Sequence, residues 1–190
     1  RRLYFDLIGL PPSIEQIKGY TDDTSEDKYE RLVDSLLQDA GFGEKWGRHW
    51  LDVARYAESS GQDRNLMSPY AWRYRDYVID SFNQDKPYDQ FITEQIAGDL
   101  LPHKSYKEYN NNRIATGFLT IGTKNIQGQT KQFEADRNDD QIDAITRGFL
   151  GMTLSCARCH DHKFDPFSQK DYYGVAGVFN NTDNMDGLYR

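Results

Sequence analysis

The sequence predicts a mostly α-helical protein, a single domain of about seven or eight helices with little or no sheet. Nearly every apolar segment repeats at the three-and-four-residue spacing of one helix face, and almost none shows the alternation of a strand. Helix-start signals precede several of these segments, and no internal repeat divides the 190 residues. A chain of this length can bury a core, so we expect residues 1–190 to form one domain, excised from a longer protein.

Helices are predicted from the start of the chain. After an apolar stretch that ends at two prolines, Ser13 and Gln16 have the spacing of a capping box and predict a short helix through Tyr20. The next apolar face repeats up to Leu37, and Gly41 is expected to end that helix in a left-handed conformation.

The following helix is predicted over residues 44–58. Its stripe contains Trp46, His49, Trp50, Val53 and Ala57. This spacing would place His49 on the buried face beside two indoles, either as a hydrogen-bonded core residue or as a functional one.

The second half of the chain continues the helical pattern. Further helices are predicted from caps and periodicity: one beginning with Ser68 and Pro69, one over 88–101, one over about 135–151, and a closing helix capped by Ser168 and Asp171. Residues 113–121 are apolar but too short for periodicity to distinguish helix from extended chain. Residues 122–133 are polar and predict a long surface loop, either mobile or a functional flap.

Composition excludes several classes of protein. The net charge of -7 and the pI near 5.1 argue against nucleic-acid binding, which requires a basic surface. No run of eighteen apolar residues is present, so we expect no transmembrane segment in this fragment. The opening Arg-Arg-Leu does not resemble a signal peptide.

The most informative stretch is Cys156 to His160, which reads Cys-Ala-Arg-Cys-His and contains both cysteines of the chain. The C-x-x-C-H pattern is typical of haem c attachment. Two thiols add to the vinyl groups of one porphyrin, and the adjacent histidine ligates the iron. We therefore expect Cys156 and Cys159 to form thioethers and His160 to be the proximal ligand of a single covalent haem.

Other uses of the motif stay open. A redox-active pair of the thioredoxin type normally lies in a βαβ setting, which the periodicity does not show, and a simple disulfide is a further alternative. A zinc site could use Cys156, Cys159, His160 and His162, although structural zinc sites usually have two separated ligand pairs.

Several neighbours are candidates for roles at the haem. His49 is our first candidate for the distal iron ligand, because a buried imidazole among indoles needs a polar partner. His162 is too close to His160 to reach the far face of the ring, so we expect it to form hydrogen bonds or a turn. Arg158 and Lys163 flank the motif and could pair with the haem propionates.

The chain also resembles a known family, the cytochrome-c-like domain DUF1549 of large exported proteins from planctomycetes and related bacteria. The matching stretches cover nearly the whole chain in order: RRLYFDLIGLPPS, WGRHWLDVARYAESSG, AWRYRDYVIDSFNQDKPYDQFITEQIAGDLLP, IATGFL and FLGMTLSCARCHDHKFDPFSQKDYYGVAGVF. The resemblance implies a c-type haem, export, and further domains in the same polypeptide. It implies no established reaction.

From these features we expect a c-type cytochrome domain that relays electrons to or from a redox partner or a neighbouring domain of the same polypeptide. One alternative is a haem enzyme of the peroxidase or oxidase type with His49 on the distal side. Another is a binding or structural module in which the motif holds zinc or a Cys156–Cys159 disulfide. Haem c is attached outside the cytoplasm, so we expect a periplasmic or otherwise exported protein whose signal lies upstream of this fragment.

Overall fold

The computed structural model describes residues 1–61, 65–122 and 131–182, and within them the fold is helical throughout. The α-helices are α1 (Arg2–Leu7), α2 (Ile14–Asp22), α3 (Lys28–Leu37), α4 (Ala40–Val53), α5 (Trp72–Asn83), α6 (Tyr88–Ala97), α7 (Tyr106–Ala115), α8 (Lys131–Ile145) and α9 (Gln169–Asn180). Short 3-10 turns cover Gly98–Leu100, Thr116–Leu119 and Leu154–Arg158, and a π-helical turn covers Thr146–Leu150. The described residues form no strand, only an isolated bridge between Ser59 and Met67. The predicted mostly α fold is confirmed.

Two glycines allow α4 and α5 to pack closely. Gly43 and Gly47 are buried one turn apart on α4 and face α5. A Cβ atom at Gly43 would lie 2.5 Å from the carbonyl oxygen of Ile79, so no other residue fits there without moving the helices apart.

The core consists of two adjoining clusters. The larger joins α4 to α8 and contains Ala54, Tyr74, Tyr77, Val78, Phe91, Ala115, Phe118 and Ala144. The smaller packs α8, the turn Leu154–Arg158 and α9 together, and contains Ile142, Leu154, Ala157, Tyr172, Ala176 and Phe179. The C-x-x-C-H segment therefore rests on a core made of side chains.

Trp50 of α4 connects the larger cluster to the segment that follows α8. Its ring centroid lies 5.0 Å from that of Phe91, 5.8 Å from that of Phe118 and 5.8 Å from that of Phe149. Its indole nitrogen lies 2.8 Å from Gln95 Oε1 and 3.1 Å from the hydroxyl oxygen of Tyr74. The side-chain amide of Gln95, which is fully buried, thus accepts a hydrogen bond from the indole, as buried polar groups require.

A buried ion pair joins the end of α5 to α6. The carboxylate of Glu94 is 4% exposed and accepts from Lys86 Nζ at 2.5 Å, from the Tyr77 hydroxyl at 2.7 Å and from Gln90 Nε2 at 2.6 Å. Burial by itself raises the pKa of Glu94, but these three hydrogen bonds outweigh it, and the pKa is lowered overall.

Both predicted capping boxes are confirmed. The Ser13 hydroxyl accepts from the backbone of Gln16, and the Gln16 side chain accepts from the backbone of Ser13. Ser168 and Asp171 make the same reciprocal pair at the start of α9.

Several predicted boundaries are wrong. Gly41 does not end α3; it lies in the first turn of α4, where its N–H donates to Asp39. α4 ends at Val53 rather than near residue 58, because Arg55 has a φ of 57° and leaves the helical conformation. α5 begins at Trp72, three residues after Pro69, because a turn closed by the Ala71 N–H and the Ser68 carbonyl precedes it.

The apolar pattern also missed a helix. α7 has few apolar residues, and Asn112 is one of its two buried positions, so it lacks the stripe that periodicity detects. Of the predicted loop 122–133, residues 123–130 lie outside the described part of the chain, and α8 already begins at Lys131. Whether residues 1–190 form a single domain stays a prediction.

Replacing Gly43 by Ala should destabilise the protein. The new methyl group would overpack the α4–α5 contact, which costs about 1 to 3 kcal/mol. Gly174 on α9 is the matched control, since a Cβ there meets nothing within 4 Å. Gly174→Ala should stabilise by about 0.5 to 1 kcal/mol through helix propensity. Urea unfolding of the two variants measures the difference, and equal midpoints would contradict the close packing.

The Glu94 ion pair predicts a pH-dependent stability. Its pKa in the folded protein lies below the ordinary value of 4.5, so the carboxylate stabilises the fold above that value. This contribution is lost as the pH falls through the lowered folded pKa. Glu94→Gln should therefore destabilise the protein at pH 7 and progressively less below pH 4.5. A difference in unfolding free energy that stays constant down to pH 3 would contradict this prediction.

Candidate haem-attachment site

Thr146 fixes the path by which the chain leaves α8. Its hydroxyl donates to the carbonyl of Ile142 at 2.9 Å and lies 3.4 Å from the backbone N–H of Leu154. Its own carbonyl accepts from Met152 at 3.2 Å. Between these contacts Gly151 turns the chain with a φ of 64°, a conformation that favours glycine. These contacts therefore fix the position of the segment that follows α8, which leads to the turn Leu154–Arg158.

The 3-10 turn Leu154–Arg158 orients the two cysteines. In a 3-10 helix, residues three apart lie above one another on the same face. Leu154 and Ala157 are 2% and 0% exposed and face the core. Cys156 and Cys159 are also three apart, and both are exposed, free thiols. The turn thus directs its apolar residues inward and both thiols outward.

His160 follows the cysteines on the protein surface. Its Nδ1 lies 2.7 Å from the backbone carbonyl oxygen of Asp161. A carbonyl oxygen only accepts, so Nδ1 carries a proton, and in the neutral imidazole Nε2 then has the free lone pair. Metal-ligating histidines usually have this arrangement, which sets the ring orientation and makes the ligating nitrogen more basic.

Arg158, between the cysteines, is held at both ends. Its carbonyl accepts from Gln169 Nε2 at 3.1 Å and from the Tyr173 hydroxyl at 3.2 Å, both on α9. Its guanidinium lies 3.4 Å from a carboxylate oxygen of Asp136 and 3.7 Å from one of Asp139, both on α8. Arg158 therefore already has carboxylate partners, and its pairing with a propionate stays a prediction.

The smaller core cluster supports these carboxylates. The Tyr172 hydroxyl donates to Asp139 Oδ1 at 2.8 Å. Burial, followed by this hydrogen bond, raises the pKa of Tyr172, so the phenol stays protonated.

His162 forms a turn, as expected. Its Nδ1 accepts from the backbone N–H groups of Phe164 at 3.2 Å and Asp165 at 2.7 Å. Its Nε2 lies 3.4 Å from the Thr153 hydroxyl oxygen. The ring thereby ties the loop after the motif to the chain before it, and Nδ1 is not free for zinc. Among the described residues, no three His, Cys, Asp or Glu side chains are grouped as a metal site.

His49 does not lie on the buried face of α4. The imidazole is exposed, with its ring centroid 5.4 Å from that of Trp46, which is itself 37% exposed. The prediction of burial was wrong because the buried stripe of α4 runs through Gly43 and Gly47, and glycines carry no hydrophobic signal. The role of His49 as distal ligand stays a prediction.

Lys163 is exposed, and its Nζ lies 5.1 Å from the ring centroid of Phe164. Sequence reasoning missed the residues that hold the motif in place, namely Thr146, Gln169 and Tyr173. Their contacts join elements that are separate along the chain, so periodicity and spacing contain no signal for them.

The protein is therefore a helical protein whose C-x-x-C-H motif is exposed on a turn that α8 and α9 hold in place. The model of the family PSCyt2, a protein of unknown function (DUF1549), matches residues 1–184. The chain belongs to this family, as the resemblance implied. Comparison with curated proteins and with solved structures finds no match. Within the described ranges, no helix is both long and apolar enough to cross a membrane.

Replacing His162 by Ala should loosen the loop after the motif. The N–H groups of Phe164 and Asp165 would lose their acceptor, at a cost of about 1 to 3 kcal/mol. Hydrogen exchange should accelerate in residues 161–168 and stay unchanged in α5. His103→Ala is the control, because His103 also lies in a loop but is exposed and far from the motif along the chain. Equal exchange in both variants would contradict the turn-forming role.

Proposed function

We propose that this protein carries one covalently attached haem c and relays electrons between a redox partner and a neighbouring domain of the same polypeptide. The observation that supports this most directly is the geometry of the motif. Cys156 in the 3-10 turn and Cys159 immediately after it are both exposed, and His160 beside them has its Nδ1 within hydrogen-bond distance of the Asp161 carbonyl.

The residues of the motif fit a haem. Both thiols are free to form thioethers along one porphyrin edge, and His160 Nε2 is the nitrogen that would ligate the iron. A haem requires only one or two axial ligands from the protein, so a single well-oriented histidine suffices. When bound, the haem supplies an iron that cycles between the ferric and ferrous states.

The chain's own residues hold this site rigid. The carbonyl of Asp161 fixes the ring of His160, and the contacts of Arg158 with α8 and α9 fix the segment between the cysteines. Ligands that are held rigidly favour electron transfer, because little has to rearrange when the charge on the iron changes. The exposed position of the motif brings the redox centre within reach of a partner.

We also propose His49 as the sixth ligand of the iron. The imidazole is exposed on α4, so it is accessible to a group bound outside the core. The rival functions need other features. A peroxidase or oxidase would use His49 as a distal acid or base, and a non-haem module would leave the cysteines as a disulfide or as zinc ligands.

We also propose that the protein is exported, since haem c attachment takes place outside the cytoplasm. Production behind an export signal, in a bacterial host with haem-attachment machinery, should give a protein heavier than its polypeptide by one haem. A haem stain should survive denaturation. Replacing both Cys156 and Cys159 by Ala should abolish the increment, because no thioether can form. His103→Ala should leave it intact.

The same preparation separates the alternatives. Ligation by His160 and His49 together would give the parent protein a low-spin ferric spectrum. His160→Ala should lose this spectrum. His49→Ala should convert the low-spin spectrum to a high-spin one if His49 is the sixth ligand. Rapid peroxide turnover that requires His49 would favour the enzyme. A chain that leaves this host with its exact polypeptide mass, or two mass units lighter through a disulfide, would overturn the haem proposal.

A further inference from the structure

Two large aromatic side chains beside the motif are exposed to solvent. Phe164 is 84% exposed and lies four residues after His160, and Tyr173 on α9 is 57% exposed. Burial of a large apolar side chain stabilises a protein, so leaving both in water forgoes that stabilisation. Their position next to two outward-facing thiols indicates a ligand that would cover them.

Tyr173 is fixed relative to the cysteines. Its hydroxyl donates to the carbonyl of Arg158, the residue immediately before Cys159, at 3.2 Å. Its ring packs edge-on against Tyr172, with centroids 5.2 Å apart. The polar end and one side of the ring thus have partners within the protein, while more than half of the side chain stays uncovered.

Phe164 is fixed through its backbone. Its N–H donates to His162 Nδ1 at 3.2 Å, so the residue cannot drift away from the motif with a loose loop. The Nζ atom of Lys163 lies 5.1 Å from the centroid of this exposed ring. The ammonium group lies over one face of the ring and leaves the other face to a ligand. An aromatic surface with a cation beside it matches a ligand that is flat and apolar and has carboxylates on its rim.

We propose that Phe164 and Tyr173 form the apolar contact surface for the porphyrin, with Lys163 facing its propionates. This inference rests on the proposed haem attachment and adds the residues that shield the macrocycle. We assign haem as the occupant because Tyr173 contacts Arg158, which lies between the two cysteines, and Phe164 lies four residues after His160. Aromatic side chains stack well on a flat conjugated ring.

Shielding has a measurable consequence. Water around a haem stabilises the more highly charged ferric form, and apolar contact favours the ferrous form. Phe164→Ser combined with Tyr173→Ser should therefore lower the midpoint potential of the bound haem. Both side chains are exposed, so far-ultraviolet circular dichroism of the variant should match that of the parent protein.

The matched control replaces two other exposed aromatic residues, Tyr88 (58% exposed) and Tyr106 (78% exposed), by Ser. Its potential should equal that of the parent. Tyr173→Phe keeps the ring but removes the hydrogen bond to Arg158, and it should also keep the parent potential. This variant separates the effect of the apolar ring from that of the hydrogen bond.

Two failures are distinguishable. If the exported parent protein carries no haem, the proposed function fails and this inference fails with it. If the parent carries haem and the double variant keeps the same potential, or if Tyr88→Ser with Tyr106→Ser shifts it equally, only the porphyrin contact surface is wrong. Should the double variant fail to fold, Phe164→Ser alone decides, since that side chain is the more exposed of the two.

Discussion

The position of the motif depends on the packing of one side chain, the indole of Trp50. Close approach of α4 to α5 at Gly43 sets the position of the helix that carries it, and its ring packs on Phe91, Phe118 and Phe149. Phe149 lies in the π-helical turn after α8. Because the indole nitrogen also has its hydrogen-bond partners on α5 and α6, the ring has one orientation. The start of the path to the motif is thus anchored in the larger core cluster.

The smaller core cluster supports the inward-facing side of the motif. Ala157, between the cysteines, is fully buried, and its neighbour Arg158 is held by carboxylates of α8 and by side chains of α9. The inward-facing half of the pentapeptide belongs to the protein core, while its outward-facing half has the thiols and His160.

The parts of this structure that sequence reasoning predicted depend on local chemistry. The capping boxes at Ser13 and Ser168 involve residues three apart, so their signal is local in the sequence. The use of Cys156, Cys159 and His160 for haem attachment stays a prediction. Contacts between distant elements were not predictable. The buried stripe of α4 consists of glycines, and α7 buries Asn112, so both escaped a search for apolar periodicity. His49 was misplaced for the first of these reasons, because the two tryptophans near it suggested a buried face that the glycines actually form.

The exposure of the motif bears on the choice between electron transfer and catalysis. A haem enzyme has to control access to the distal face of the iron, which requires walls of side chains around a substrate. An electron-transfer site requires the opposite, a macrocycle edge close to the surface and ligands that do not move. The described residues around His160 meet the requirement for groups that do not move: Asp161 holds Nδ1, His162 holds the loop, and Arg158 is held on both sides. This rigidity, combined with the exposure of the motif, is the physical ground on which we propose a relay of electrons rather than a haem enzyme.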